Sequence, residues 1–88
     1  MKAEIYTKDN CPYCTKAKAL FQIKGIEYTE YKISPGFNEG SLGDNQRYVT
    51  KEQLLERAPH ARTVPQIWLD GQYVGGYTEL EKYFTKNS

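Results

Sequence analysis

Hydrophobic and polar positions divide this chain into short elements. Residues 2–7, KAEIYT, alternate and carry β-branched and aromatic side chains, the pattern of a strand. In CPYCTKAKALFQIKG, Ala17, Leu20 and Phe21 stand at i, i+3 and i+4, one stripe of a helix, and Gly25 is a natural stop behind it. IEYTEYKI, from Ile26, alternates again, with Tyr31 and Ile33 continuing an apolar face, and predicts a second strand. Strand, helix and strand in so few residues form a βαβ unit, which implies parallel pairing through a right-handed crossover.

The periodicity then lapses. SPGFNEGSLGDNQRY, residues 34–48, holds three glycines and a proline and predicts a long loop. Such loops in small domains are uncommon and often functional. Phe37 and Tyr48 are its only aromatics, so the loop is a candidate for selecting protein partners. Next, Thr50 with Gln53 three residues on reads as the capping box of a short helix, TKEQLLERA. In QIWLDGQYVGG two apolar runs flank Asp70-Gly71, the pair favoured in a type I′ hairpin turn. Thr78 with Glu81 reads as a further capping box, and Leu80, Tyr83 and Phe84 as the apolar stripe of a last helix. The expected order is β-α-β-α-β-β-α, a single domain over residues 1–88 with a long loop at 34–48.

Composition narrows the function classes. Twelve basic and 11 acidic residues leave a formal net charge of +1, so no global field attracts nucleic acid or an anionic membrane. No apolar run reaches the roughly 18 residues of a membrane span. MKAEIYTKD lacks the apolar core of a secretory signal, so the expected setting is the cytoplasm. There a vicinal cysteine pair is more often metal-binding or redox-active than structural.

Both cysteines lie in DNCPYCTKAK. Structural zinc takes four Cys and His ligands, and this chain offers only Cys11, Cys14 and His60, so no metal site is expected. His60, in RAPHART, reads as a solvated loop histidine. Pro12 suits the first helical position, where its missing N–H is not needed. That makes Cys11 the N-cap, its sulfur facing unpaired N–H groups and the positive end of the helix dipole. Both favour thiolate over thiol, and Lys8 adds positive potential. Cys14 stands one turn further inside. Cys11 is thus the expected attacking thiol and Cys14 the resolving one.

With these residues in view, the chain resembles the glutaredoxins, specifically the dithiol class with Cys-Pro-Tyr-Cys. The matching pieces are YTKDNCPYCTKAK at 6–18, TVPQIWLDGQYVGGYTEL at 63–80 and, more loosely, VTKEQLLERA at 49–58. The resemblance implies a thioredoxin-like α/β fold, a four-stranded mixed sheet flanked by three helices. It implies a glutathione-dependent thiol–disulfide oxidoreductase acting on protein disulfides and protein–glutathione mixed disulfides. Glutathione is then a co-substrate, with no tightly bound cofactor. Thr63, Val64 and Pro65 would form a platform opposite the cysteines, with Pro65 cis and the Val64 backbone pairing with the glutathione cysteinyl unit. Lys8 and Tyr13 would serve the glycine carboxylate end, with Arg62 and Arg47 as weaker candidates. The residues permit the other end independently. Gly76, Tyr77 and Thr78 open the last helix, and its free N–H groups and the Thr78 hydroxyl suit a carboxylate. The expected protein is a monomer, and ribonucleotide reductase is one protein substrate the family serves. The Trp-Cys-Gly-Pro-Cys signature of thioredoxins is absent. Iron–sulfur binding belongs more to Cys-Gly-Phe-Ser members. The 34–48 loop is longer than compact members carry, which weakens the case for Arg47.

Overall fold

The computed structural model describes residues 1–33 and 46–86. The elements are β1 (Lys2–Thr7), α1 (Pro12–Lys24), β2 (Glu27–Ile33), β3 (Gln46–Val49), α2 (Lys51–Arg57), β4 (Gln66–Leu69), β5 (Gln72–Gly75) and α3 (Tyr77–Lys86). The strands form one mixed sheet in the order β3-β2-β1-β4-β5. β1 pairs in parallel with β2, and β2 with β3; β4 runs antiparallel to both β1 and β5.

Alternation along the strands sends their side chains to two faces. On one face Ala3, Ile5, Ile67 and Leu69 pack against Ala17 and Phe21 of α1 and Leu80 of α3. On the other, Tyr6 and Trp68 pack against Leu54 and Ala58, with Tyr31, Ile33 and Val49 around them. Helices α1 and α3 therefore cover one face and α2 the other. The framework is thioredoxin-like. Phe21 is fully buried, which contributes about 1.5–3 kcal/mol relative to leaving it exposed.

Local signals produce the expected local structure. Gly25 caps α1 in the left-handed region, at φ 69°. Asp70 and Gly71 have φ 49° and 83°, as a type I′ turn requires. Thr50 Oγ1 accepts from the Gln53 N–H at 3.1 Å and Gln53 Oε1 accepts from the Thr50 N–H at 2.8 Å, a complete capping box.

Two expectations are corrected. Among the described residues the sheet has five strands, not four, and the order is β-α-β-β-α-β-β-α. Gln46–Val49, read as the end of the loop and the run-up to a helix, pairs with Glu30–Ile33 as an edge strand. A four-residue strand, with one neighbour among the described residues, leaves little periodicity in the sequence. The rest of the expected loop, 34–45, lies outside the described residues. The second correction is at the start of α3. The capping contact is not Thr78 with Glu81; the helix begins at Tyr77, and Glu79 Oε1 accepts from the Gly76 N–H at 2.8 Å. The helix starts two positions earlier than the Thr78 reading assumed, and that places Glu79 three residues past Gly76.

Candidate active site

The site forms where β1 ends. After Thr7 the chain turns through Asn10, at φ 57°, and enters α1 with Cys11 as N-cap and Pro12 in the first turn. The Cys11 backbone is extended, so its sulfur folds back over the helix start and accepts from the Cys14 N–H at 3.2 Å. Its carbonyl accepts from the Thr15 N–H at 3.2 Å. Cys11 and Cys14 are joined as a disulfide, their Cα atoms 5.2 Å apart. The two sulfurs are inequivalent: Cys14 is 2% exposed, whereas Cys11 is only half-buried.

Two further segments converge on this turn. The Val64–Pro65 bond is cis, and the Val64 carbonyl oxygen lies 3.7 Å from Cys11 Sγ. Gln66 Nε2 donates to the Thr63 carbonyl at 2.7 Å, and the Tyr73 hydroxyl donates to Gln66 Oε1. The platform is thereby braced against β5. Gly76 sits so close to it that an added Cβ would stand 3.4 Å from the Pro65 carbonyl oxygen. From α3, Tyr77 meets the half-exposed ring of Tyr13 with centroids 5.9 Å apart. Lys16 Nζ lies 5.2 Å from the centroid of Tyr13.

Of the expected site residues, Cys11, Cys14, Tyr13, Val64, Pro65, Gly76 and Tyr77 are thus drawn together. Thr63 faces solvent with its carbonyl engaged by Gln66, and Thr78 is exposed in the first turn of α3. Lys8 is exposed and lines a cavity beside the disulfide. Arg62 is exposed before the platform, and Arg47 lies on the edge strand β3, its Nη1 donating to the Gln46 carbonyl at 2.7 Å. Among the described residues, no group of three or more His, Cys, Asp and Glu side chains is placed to hold a metal ion.

The cavity holds about 560 Å³ and is lined by Lys8, Cys11, Cys14, Lys18, Glu30 and Lys32, among others. It lies toward β2, whereas the Val64–Pro65 platform leads into β4, on the other side of β1. Glu30 forms its floor and is 3% exposed. It accepts from Thr7 Oγ1 at 2.6 Å, Gln46 Nε2 at 2.7 Å and Lys18 Nζ at 2.9 Å. Burial pushes the Glu30 pKa up. The hydrogen bonds from Thr7, Gln46 and Lys18, with the Lys18 charge, outweigh burial and hold it below the usual carboxylate value.

Glu30, Gln66 and Glu79 are absent from the sequence-derived site. A signal existed for Glu30: it shares the parity of Ile26 and Tyr28 in an alternating strand, so a charge falls on a face packed by α1. Gln66 and Glu79 carry no comparable signal, because their partners depend on the fold.

A disulfide that closes between a helix N-cap and the turn behind it, on this framework, defines a thiol–disulfide oxidoreductase. Comparison with known proteins gives the family. The glutaredoxin family model matches residues 3–74. Glutaredoxin 3 of Escherichia coli is 39% identical over 77 residues, 88% of this chain and 78% of that protein. A probable glutaredoxin of Synechocystis is 39% identical over 79 residues, 90% of this chain and 77% of its own. Among solved structures, reduced E. coli glutaredoxin superposes with a TM-score of 0.72 at 31% identity, covering 99% of this chain and 96% of that one. A buckwheat glutaredoxin–glutathione complex superposes with a TM-score of 0.71 at 25% identity, covering 97% and 69%. The chain belongs to the glutaredoxin family.

Proposed function

We propose that this protein uses glutathione to reduce protein–glutathione mixed disulfides and protein disulfides, with Cys11 attacking and Cys14 resolving. The observation that carries the assignment is the placement of the sulfurs. Cys11 Sγ sits at the helix N-terminus and beside Val64, while Cys14 is buried behind it.

On a mixed disulfide, the Cys11 thiolate attacks the glutathione sulfur, and the protein substrate leaves as a thiolate. A second glutathione thiolate then attacks the Cys11-bound glutathione, leaving oxidised glutathione and restoring Cys11. On a protein disulfide, Cys11 forms a mixed disulfide with the substrate. Cys14 attacks Cys11 Sγ, expelling the reduced substrate and closing the Cys11–Cys14 disulfide. Two glutathiones reopen it. The family's potentials, about −200 to −230 mV, lie close to the glutathione poise, so both directions are accessible.

The glutathione cysteinyl unit pairs with the Val64 backbone beside cis-Pro65 and Thr63. Its γ-glutamyl carboxylate meets the first N–H groups of α3, at Tyr77 and Thr78, and the Thr78 hydroxyl. Glu79 already holds the Gly76 N–H, so Gly76 contributes close approach rather than a donor. Lys8 and Tyr13 serve the glycine carboxylate end. The glutathione complex of the buckwheat relative supports this reading. The protein acts as a monomeric, single-domain enzyme in the cytoplasm, and ribonucleotide reductase is one candidate substrate.

The test is turnover of a small glutathione mixed disulfide, coupled to glutathione reductase. Cys14→Ser is expected to keep it and to lose reduction of protein disulfides. Cys11→Ser is expected to lose both. Full turnover by Cys11→Ser overturns the assignment.

A further inference from the structure

The resolving step leaves a proton unassigned. Cys14 attacks as a thiolate, yet its sulfur is almost fully buried, away from bulk base. The cavity beside it contains two carboxylates. Asp9 stands at the rim, its side chain 67% exposed and 2.7 Å from Lys32 Nζ. Glu30 stands on the floor, with Cys14 in the same lining. Lys18, one helical turn beyond Cys14 on the same face of α1, holds Glu30 at 2.9 Å. Cys14 and the buried carboxylate therefore line one solvent-accessible space, across which water can carry a proton.

We propose that Glu30 accepts the Cys14 proton as Cys14 attacks, and so governs the dithiol branch while leaving the monothiol branch untouched. The step balances. Cys14–SH, the Cys11 mixed disulfide and the Glu30 carboxylate become the Cys11–Cys14 disulfide, a substrate thiolate and a protonated Glu30. The Cys14 sulfur is oxidised and the substrate sulfur reduced. The proton then passes from Glu30 to water in the cavity, a release favoured by the hydrogen bonds that hold this carboxyl below its usual pKa. On reduction by glutathione the same path returns a proton to Cys14. The groups around Glu30 are Thr7 on β1, Lys18 on α1, Lys32 on β2 and Gln46 on β3, and Cys14 shares the cavity. Lys8 and Asp9 in the β1–α1 turn share the cavity, and Tyr48 of β3 acts on Lys32.

The inference rests on the proposed order of attack by Cys11 and then Cys14, but its test needs no glutathione. The reduced protein is mixed with a chromogenic aryl disulfide in a stopped-flow spectrometer. One aryl thiolate is released when Cys11 attacks and a second when Cys14 resolves. Absence of the first phase rejects the proposed function itself; the second phase tests Glu30. In Glu30→Gln the first phase is expected within about twofold of wild type. The second phase is expected to slow about tenfold or more near pH ~6, the scale lost with a general base. It should then climb with pH as Cys14 ionises unaided, about tenfold per unit. Asp9→Asn should keep the wild-type second phase. A second phase in Glu30→Gln with wild-type rate and pH profile overturns the proposal, as does an equal slowing in Asp9→Asn. If Glu30→Gln does not fold, Lys18→Met decides. Removing the ammonium raises the Glu30 pKa, so the acid limb of the second phase should move to higher pH; an unmoved limb is the negative result.

Discussion

At Cys11 one sulfur receives an N–H, stands at the positive end of a helix and faces a carbonyl only on its platform side. The first two favour the thiolate. In the reduced protein, Cys11 is expected to be alkylated at pH values where an ordinary thiol, near ~8.5, is still protonated, and Lys8→Glu should move that midpoint upward. Alkylation with the profile of a free thiol would show that neither the helix end nor Lys8 acts on this sulfur. Glu30 makes a second prediction at the same scale. Its carboxyl binds a proton less tightly in the folded than in the unfolded chain. The stability it contributes is therefore complete above its unfolded pKa, ~4.3, and is lost as pH falls through the lower folded value. Urea unfolding from neutral pH down to about 3 should show a shallower acid decline in Glu30→Gln than in wild type. An unchanged decline would mean that the folded state does not distinguish the two forms of this group.

At the scale of elements, local chemistry was legible and distant pairing was not. Pro12 announced the start of α1, Gly25 its end, Asp70-Gly71 the hairpin and Thr50 with Gln53 the start of α2. In each case the partners lie within a turn of one another, so spacing alone specifies the contact. The redox pair was legible for the same reason: a helix N-cap and the residue one turn behind it need no tertiary information. β3 was not, because among the described residues it pairs with β2 alone, across the 34–45 segment. Nor was the Gly76–Glu79 cap, since two overlapping capping patterns compete there and the approach of Gly76 to the Pro65 carbonyl is a tertiary contact that spacing does not reveal. Gly71→Ala is expected to cost about 1 kcal/mol through its left-handed φ. Thr50→Ala should cost about 1 kcal/mol through the lost cap. Denaturant melts check both, with activity on a small mixed disulfide near wild type in each.

For the whole molecule, the disposition of cores explains how stability and activity are joined. The face covered by α1 and α3 carries the cysteines and the Tyr77 wall together, so its packing holds both halves of the site. Leu80 is fully buried there. Leu80→Ala is expected to cost about 2–5 kcal/mol, a large share of the roughly 5–15 kcal/mol available to a small domain. Because Leu80 anchors α3 near its start, the variant should also raise the KM for glutathione more than it lowers kcat. A stability loss with KM unchanged would separate the α3 wall from glutathione binding.

Trp68 is the one tryptophan of the chain. It is 5% exposed on the face away from α1, with Tyr6 and Tyr73 at ring centroid distances of 5.3 and 5.1 Å and the Arg57 guanidinium 4.2 Å over its ring. Its emission is therefore an optical probe of the α2 side of the sheet, the face opposite the Phe21 and Leu80 core. Opening the disulfide should leave the fluorescence of the folded protein nearly constant, while unfolding should shift it strongly to the red. One signal then follows the folding of both redox forms without separate calibration. Comparing their midpoints ties the stability difference between the forms directly to the reducing power of the cysteine pair.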